Sequence, residues 1–283
     1  MTTAALEAER DERPVHRYFA GQQTRFMQEW REILQSGHLL YNLVHRDLTI
    51  RYKRSVLGAM WTLLHPLLLT AILVIVFSHI FRFDIEHYEV YLLAGLLPWT
   101  FFAQTTVSSM AATAWNGALM KRVRVPKSIF TLSTAISGLV NLAVSYVPLI
   151  LIMVMRGVHF RPAMLFLPVS IAILAVFTFG LSLALSTISI YFIDVREMFT
   201  VALTALMYLT PIIWPLKIVP PRFQIVIRAN PMYYLIEIVR IPLHAGIVPS
   251  LTLVSAGVAL ALTSLLIGWL TFRRLSAGFY PHL

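Results

Sequence analysis

Residues 163–193 read AMLFLPVSIAILAVFTFGLSLALSTISIYFI, a run of 31 residues without a single Asp, Glu, Lys or Arg. A helix needs about 20 apolar residues to cross about 30 Å of hydrocarbon, so this run is long enough to span a membrane. Five more charge-free apolar stretches of comparable character lie at 59–80, 90–111, 128–155, 198–216 and 248–272. We therefore predict an all-α polytopic membrane protein with six transmembrane helices.

The composition of the chain agrees with this class of protein. Of its 283 residues, 58% are hydrophobic, and the six predicted spans use more than half of the length. We predict a cytoplasmic segment at 1–58, a six-span domain at 59–272 and a cytoplasmic tail at 273–283. The first segment has no apolar core of a cleaved secretory signal. Since the chain has no cysteine, disulfides, thiolate metal sites and Cys nucleophiles are excluded.

The distribution of basic residues predicts that both termini lie in the cytoplasm. The net charge is +10, and cytoplasmic loops gather Lys and Arg next to the ends of the spans. With this orientation the first outer loop is acidic, and the inner basic residues outnumber the outer ones. The inner set is Arg46, Arg51, Lys53, Arg54, Lys121, Arg122, Arg124, Lys127, Arg196, Arg273 and Arg274.

The segment from Gln22 to Lys53 has the pattern of an amphipathic helix. Apolar residues that recur at three- and four-residue spacing predict one apolar face. Such a helix lies in the inner membrane interface, with its cations at anionic lipid, or packs against the underside of the protein. We favour the interfacial position, because the segment leads directly into the first span. The apolar residues are Leu39, Leu40, Leu43, Val44 and Leu48.

The interiors of the predicted spans contain polar residues but no carboxylate. Ion-driven transporters usually carry acidic residues, His or Lys near the bilayer midplane. His65 has no acidic partner in any span, so a position near the interface, next to the kink at Pro66, is favoured over a proton relay. The second span is the most polar, and its side chains either contact other helices or line a wet path. These are Gln104, Thr105, Thr106, Ser108 and Ser109.

Two cytoplasmic connections and one outer loop are candidate functional elements. Residues 115–127 hold four cations and a proline, Pro126, near their end, which suits either membrane anchoring or a docking helix for a soluble partner. A smaller cytoplasmic turn lies at 191–197. The outer loop 217–247 holds two short apolar pieces, 222–229 and 232–241, which suit short interfacial or re-entrant helices.

The second of these pieces contains one predicted ion pair. Glu237 and Arg240 are three residues apart and could pair on one helix face. They either gate an exit, together with Tyr233 and Tyr234, or solvate an outer cap.

The chain lacks the motifs of an enzyme. It has no G-x-x-x-x-G-K-[ST] phosphate loop, no zinc-type His/Glu cluster, no G-x-S-x-G elbow and no paired intramembrane carboxylates. We predict no catalytic site, no metal site and no cofactor bound by this chain. A motor for transport would therefore have to be a separate protein.

The order of several motifs resembles a known family of permeases. The run Arg46–Trp61, RDLTIRYKRSVLGAMW, is followed by Pro66, by the loop Asn116–Pro126 and by the Asp194-Val195-Arg196 turn. Thr210-Pro211-Ile212-Ile213 and Asn230-Pro231 come later. Taken together, in this order, they resemble the ABC-2-type polysaccharide exporter permeases. This Wzm-like family includes exporters of O antigen, capsule and teichoic acid. The similarity covers residues 38–272.

The resemblance implies a homodimer in the bacterial cytoplasmic (inner) membrane, with a channel between the subunits. Two cytoplasmic ABC ATPases would bind ATP and Mg, and nucleic acid would not be a partner. The cargo would be a glycan linked to polyprenyl pyrophosphate, whose headgroup enters at Arg51, Lys53 and Arg54. Contacts with the ATPase would come from Asn116, Leu119, Lys121, Arg122, Arg124, Pro126, Asp194 and Arg196. The outer gate would comprise Tyr233, Tyr234, Glu237 and Arg240.

Aromatic side chains in and near the spans are candidates for contact with sugars. The alternative interpretation of these side chains is interfacial anchoring or packing, which is common for Trp and Tyr in membrane proteins. The alternatives to polysaccharide export are a permease of the same kind for teichoic acid, drugs or smaller lipids and, in another class, an ion-coupled secondary transporter. The aromatic candidates are Tyr88, Tyr91, Trp99, Phe101, Phe102 and Tyr208.

Overall fold

The structure, a computed structural model, describes residues 26–53, 60–80, 85–117, 120 and 126–279. The regular elements in these ranges are helical throughout and include no strand, which confirms the all-α prediction. Short π-helical turns follow α3 and α9, and short 3₁₀ turns precede α6 and follow α10. The α-helices of these ranges are α1 (Phe26–Gln35), α2 (Gly37–Tyr52), α3 (Met60–Val74), α4 (Tyr88–Trp115), α5 (Ile129–Met155), α6 (Leu167–Tyr191), α7 (Val195–Leu209), α8 (Pro221–Ala229), α9 (Pro231–Arg240) and α10 (Leu251–Leu275).

Four helical segments of the described part are long and apolar enough to cross a membrane. They are α4, α5, Pro162–Tyr191 and α10. Each lies where the sequence predicts a span. The first predicted span has a shorter apolar core, Pro66–Phe77, within a helix that continues as a π turn at Ile75–Ile80. Six spans and the orientation in the membrane therefore stay predictions.

The predicted span 198–216 is wrong in its extent. Helix α7 has 15 residues and ends at Leu209, so it rises only about 22 Å at about 1.5 Å per residue. Thr210 is extended, with φ −99° and ψ 130°. The cause lies in the next residue, because Pro211 disfavours the helical conformation of its predecessor and has no N–H to donate.

The predicted N-terminal helix is divided in two and packs more on the protein than expected. It breaks at Ser36, between α1 and α2. In α2, Leu43 is buried in a cluster with Ile129 and Phe130 of α5, and Leu39 packs against the same cluster. The outward face still exposes apolar side chains, with Tyr41 68% exposed. One face of α2 therefore packs on the body of the protein, and the interfacial position of the other face stays a prediction.

Helix α4 is the centre of the bundle, and it packs against α3, α5, α6 and α9. Its buried hydroxyl groups are partly satisfied within the helix, since Thr106 donates to the Phe102 carbonyl at 2.9 Å. Helices α6 and α10 cross most closely. A Cβ atom on Gly268 would lie 2.0 Å from the Gly180 carbonyl oxygen, so the absence of side chains lets the two backbones touch.

The antiparallel course of the long helices gives the bundle two distinct ends. Helices α4, α6 and α10 finish where α5 begins, and Asn116 is bonded there to α2. The opposite end holds the start of α4 and the residues after Leu209, joined by the bond from the Tyr88 hydroxyl to the Ile213 carbonyl at 2.8 Å. We call these the Asn116 end and the Tyr88 end.

Candidate functional site

A groove of about 820 Å³ runs along the contact of α4 with α5. Its walls bear hydroxyl and amide groups, and α2, α3 and α7 contribute its Asn116 end through Arg46, Trp61 and Arg196. The volume falls within the range of about 300–1,000 Å³ that is usual for pockets holding organic ligands. The polar lining residues of α4 and α5 are Thr100, Gln104, Thr105, Ser108, Thr134, Ser137, Asn141 and Ser145.

The two helices present these polar groups on matching faces. On α4, Thr100, Gln104 and Ser108 are each four residues apart, which aligns them along one side of a helix. The matching face of α5 carries Thr134, Ser137, Asn141 and Ser145 at three- and four-residue spacing. Of the second-span residues, Gln104 and Ser108 lie on the groove, as the wet-path interpretation requires, whereas Thr105 borders the groove but is only 2% exposed. Thr106 and Ser109 are fully buried instead.

Close contact between the walls depends on a glycine. A Cβ atom added to Gly138 of α5 would lie 2.4 Å from Thr105 Oγ1 and 3.1 Å from the Phe101 ring. Gly138 therefore allows α4 to approach α5 at the floor of the groove. A larger residue would push the two walls apart.

The Asn116 end of the groove joins three parts of the chain. Arg46 of α2 donates to Asn116 Oδ1 at 3.0 Å and forms an ion pair with Asp47 at 3.0 Å. Asn116 in turn donates to the Ala112 carbonyl. Arg196, near the start of α7, lines the same groove and is exposed. Two guanidinium groups from separate helices therefore lie at this mouth, where they could meet an anionic ligand.

The predicted ATPase-coupling residues are only partly covered by the structure. Asn116 lies in the groove wall, Pro126 is buried, and Asp194 and Arg196 are exposed at the start of α7. Leu119, Lys121, Arg122 and Arg124 lie outside the described residues. Their coupling role stays a prediction.

The residues predicted to meet a lipid pyrophosphate are also partly covered. Lys53 caps α2, where its N–H donates to the Thr49 carbonyl, and it is exposed. Arg51 lies in the last turn of α2, but its side chain is not among those described, and Arg54 lies outside the described residues.

At the Tyr88 end, the side chain of Arg240 is buried at the centre of a polar network. Arg240 is 2% exposed. Its Nη1 donates to the Tyr91 hydroxyl and to Glu237 Oε1, both at 2.8 Å, and its Nη2 donates to the Pro211 carbonyl at 2.8 Å. The predicted Glu237–Arg240 pair is therefore confirmed. Arg240 does not solvate an outer cap, because it holds α9 to α4 and to the break after α7.

Glycine again makes room for this network. A Cβ atom on Gly95 of α4 would lie 2.3 Å from Arg240 Nη2. Tyr91 adds a cation–π contact, since the guanidinium carbon lies 4.1 Å from its ring centre. The same tyrosine donates to the Trp214 carbonyl at 3.2 Å. The segment 210–214 is thus fastened at several points.

The other predicted gate residues lie on the half-exposed side of α9. Tyr233 and Tyr234 contact each other edge to face, with ring centres 5.1 Å apart. Burial, with the Glu237 carboxylate as a smaller cause, raises the pKa of Tyr233. The structure brings these tyrosines close to Glu237 and Arg240, and their role as a gate stays a prediction.

The candidate aromatic residues fall into two groups. Tyr88, Tyr91, Trp99 and Phe102 are buried within the subunit, so in this conformation they present no face to a sugar. Phe101 is 4% exposed but lines the groove, and Tyr208 is 69% exposed on α7. The groove also holds Trp61 and Trp115, which the sequence did not single out as sugar contacts.

Comparison with known proteins identifies the family. The pattern of the ABC-2 type transporter family matches residues 38–243. The chain belongs to this family, whose permeases are membrane transport subunits that work with an ABC ATPase. Together with its four long apolar helices, this makes the chain a multi-pass membrane protein.

Individual relatives are similar over most of their length. The chain is 30% identical over 205 residues to the O-antigen export system permease protein RfbA of Myxococcus xanthus, covering 71% of this chain and 78% of the relative. It is 29% identical over 197 residues to the protein of that name in Klebsiella pneumoniae, covering 69% and 75%. The polysialic acid transport protein KpsM of Escherichia coli is 25% identical over 233 residues, covering 81% and 90%.

Proposed function

We propose that this chain is the transmembrane subunit of an ATP-driven exporter that moves a polyprenyl-pyrophosphate-linked polysaccharide across the bacterial cytoplasmic membrane. Two copies would form the channel, and each would bind one ABC ATPase that holds ATP and Mg. In this proposal α3 and the short α7 complete a set of six spans, with both termini in the cytoplasm.

The observation that supports the proposal is the groove, whose α4 and α5 walls bear polar side chains without charge. A pathway must bind its cargo well enough to admit it and weakly enough to release it. Hydroxyl and amide groups such as those of Ser108, Gln104 and Asn141 exchange hydrogen bonds with sugar hydroxyls without a fixed charge. Among the described residues that line the groove, the one carboxylate is Asp47 at its mouth, and it is paired with Arg46. The groove thus suits a long glycan that moves in steps.

The Asn116 end supplies the chemistry for the anionic junction of the cargo. Arg46 and Arg196 lie on the groove there, and the predicted pyrophosphate residues Arg51, Lys53 and Arg54 follow Arg46 in the chain. Guanidinium groups bind phosphate oxygens through paired N–H donors. The names of the relatives in O-antigen and polysialic acid transport support a polysaccharide as the cargo.

Helix α7 offers a second surface to the proposed channel. Arg196, Thr200, Thr204 and Tyr208 are each four residues apart, and all four are exposed. This stripe is one face of the helix, and it starts at the groove with Arg196. A polar stripe of this kind suits a water-filled space between two copies better than lipid. Tyr208 would then be a sugar contact.

The test is export by the intact complex. A strain that lacks this gene should lose surface polysaccharide, and the wild-type chain should restore it. The purified chain should carry an ATPase whose hydrolysis it alters. Export should stop on ATP depletion and survive collapse of the proton gradient. Normal surface polysaccharide in the deletion strain, or export that follows the proton gradient instead of ATP, would refute the proposal.

A further inference from the structure

The last described residues of the chain, 275–279, touch both connections that are predicted to meet an ATPase. Lys127 follows the basic run that ends at Arg124, and Tyr191 lies three residues before Asp194. The Lys127 ammonium donates to the Ser276 carbonyl, and the Tyr191 hydroxyl donates to the Leu275 carbonyl. Two adjacent carbonyls at the end of α10 therefore hold one side chain from each connection.

The side chain of Phe279 contacts the same two residues, Lys127 and Tyr191. Lys127 Nζ lies 5.0 Å from the centre of the Phe279 ring, and the Tyr191 ring packs edge to face against it at 6.3 Å. Phe279 is 1% exposed and belongs to a cluster with Ile129 and Phe130 of α5. The aromatic ring thus fixes the segment to the body of the protein while it contacts both connections.

The backbone of residues 275–279 is packed closely against Tyr191. A Cβ atom on Gly278 would lie 2.5 Å from the Tyr191 hydroxyl oxygen, so the backbone at Gly278 approaches the tyrosine as closely as a glycine permits. Burial lowers the pKa of Lys127, and the Glu29 carboxylate opposes that shift. Helix α1 contacts the residue next to Lys127, because the Ser128 hydroxyl donates to Glu29 Oε1 of α1 at 2.7 Å.

We propose that residues 275–279 form a C-terminal clip that holds the two ATPase-facing connections at a fixed distance, so that they move as one unit. Lys127, Tyr191 and Phe279 are positioning residues in this scheme. The two connections are separated by helices α5 and α6 in the chain. These helices are also joined near the same end by a hydrogen bond between the Thr131 and Ser186 hydroxyls at 3.1 Å, and the clip adds a second link between the connections themselves. The link to the ATPase rests on the proposed function, whereas the mechanical link between the connections does not.

The mechanical part is tested by hydrogen–deuterium exchange of the purified full-length chain. Phe279→Ala should speed exchange by at least about tenfold in both 126–131 and 190–197, because loss of a buried phenyl ring lowers the free energy of local opening. Phe223→Ala is the matched control, since Phe223 is 51% exposed. Faster exchange in only one connection, or in neither, would overturn the proposal.

The functional part uses milder variants that each remove the polar contacts of one connection with the clip. In the complex with its ATPase, Lys127→Met and Tyr191→Phe should each lower the polysaccharide exported per ATP hydrolysed, with ATPase binding retained. The double variant should be no worse than the more severe single one, because either change opens the same clip. The controls are Lys217→Met and Tyr41→Phe, both at exposed residues.

The outcomes separate the two proposals. Additive effects of the two substitutions, an unchanged export ratio, or a loss of ATPase binding in either single variant would each refute the clip. If the wild-type chain binds no ATPase, the proposed function fails, and the exchange experiment still decides whether the clip joins the two connections.

Discussion

Arg240 and Tyr91 are 149 positions apart in the chain, and the guanidinium of one donates to the hydroxyl of the other at 2.8 Å. Through this contact the short helix α9 is fixed to the central helix α4. The Pro211 carbonyl accepts from the same guanidinium, so the end of α7 is held as well. One guanidinium therefore joins α9, the central helix α4 and the residues that follow α7.

Loss of the arginine should destabilise this end of the protein. In Arg240→Met, Glu237 loses its ion-pair partner and the Pro211 carbonyl loses a donor, which should cost about 3–5 kcal/mol. The measurement is the free energy of unfolding or the melting temperature in detergent. Arg222→Met is the matched control, because Arg222 is exposed and surface substitutions usually change stability by less than about 0.5 kcal/mol. Equal melting temperatures for both variants would contradict this role.

Gly95→Ala should act through the same network. The new Cβ would lie 2.3 Å from Arg240 Nη2, so the guanidinium must move away from its acceptors. The melting temperature should fall in Gly95→Ala and should fall little further when Arg240→Met is added, since both changes open one network. Gly37→Ala is the control, as its Cβ would meet nothing within 4 Å. A fully additive double variant would show that Gly95 acts elsewhere.

His244 should make this end sensitive to acid. Burial lowers its pKa below the ordinary value of 6.5, with Arg240 and His87 as smaller causes and the Glu86 carbonyl bond and Glu237 opposing. The unfolded chain therefore binds a proton more readily than the folded one. Stability is fully present above pH 6.5 and falls as the pH drops towards the lower folded pKa.

The measurement for His244 is the melting temperature across that range of pH. It should fall more steeply in the wild type than in His244→Gln, in which the amide can still donate to the Glu86 carbonyl. Parallel curves for the two proteins would refute this source of acid sensitivity.

The basic connection should be needed for transport but not for insertion. Replacing Lys121, Arg122 and Arg124 by Glu should abolish export, because an ATPase surface that accepts cations would meet three carboxylates instead. The measurement is surface polysaccharide, with the amount of chain in the membrane as the control. Normal export by the triple variant would show that the coupling assignment is wrong.

Much of the helical architecture could be predicted because its signals are local. Charge-free runs located α4, α5, α6 and α10, and prolines located the pieces that became α8 and α9. The early end of α7 could also have been predicted, since Pro211 lies inside the predicted span 198–216. Hydropathy alone does not show this end of the helix, because the residues that follow Pro211 are apolar as well.

The candidate site was less predictable because it depends on contacts that are distant in the chain. The polar face of α5 could have been found from the spacing of Thr134, Ser137, Asn141 and Ser145. The burial of Arg240 could not, since it requires Tyr91 and the Pro211 carbonyl to converge in three dimensions. For the same reason the sequence did not show that Tyr91, a candidate for contact with sugars or for packing, is the partner of Arg240.

The central claim is that the groove between α4 and α5 carries the polysaccharide, and a cysteine probe tests it most directly. The chain has no native cysteine, so Ser108→Cys in the groove and Ala229→Cys at the exposed end of α8 can each be labelled alone. We predict that a bulky water-soluble maleimide reacts with Ser108→Cys and stops export, whereas Ala229→Cys exports normally after the same treatment. Failure of Ser108→Cys to react, or unchanged export after it has reacted, would contradict the claim.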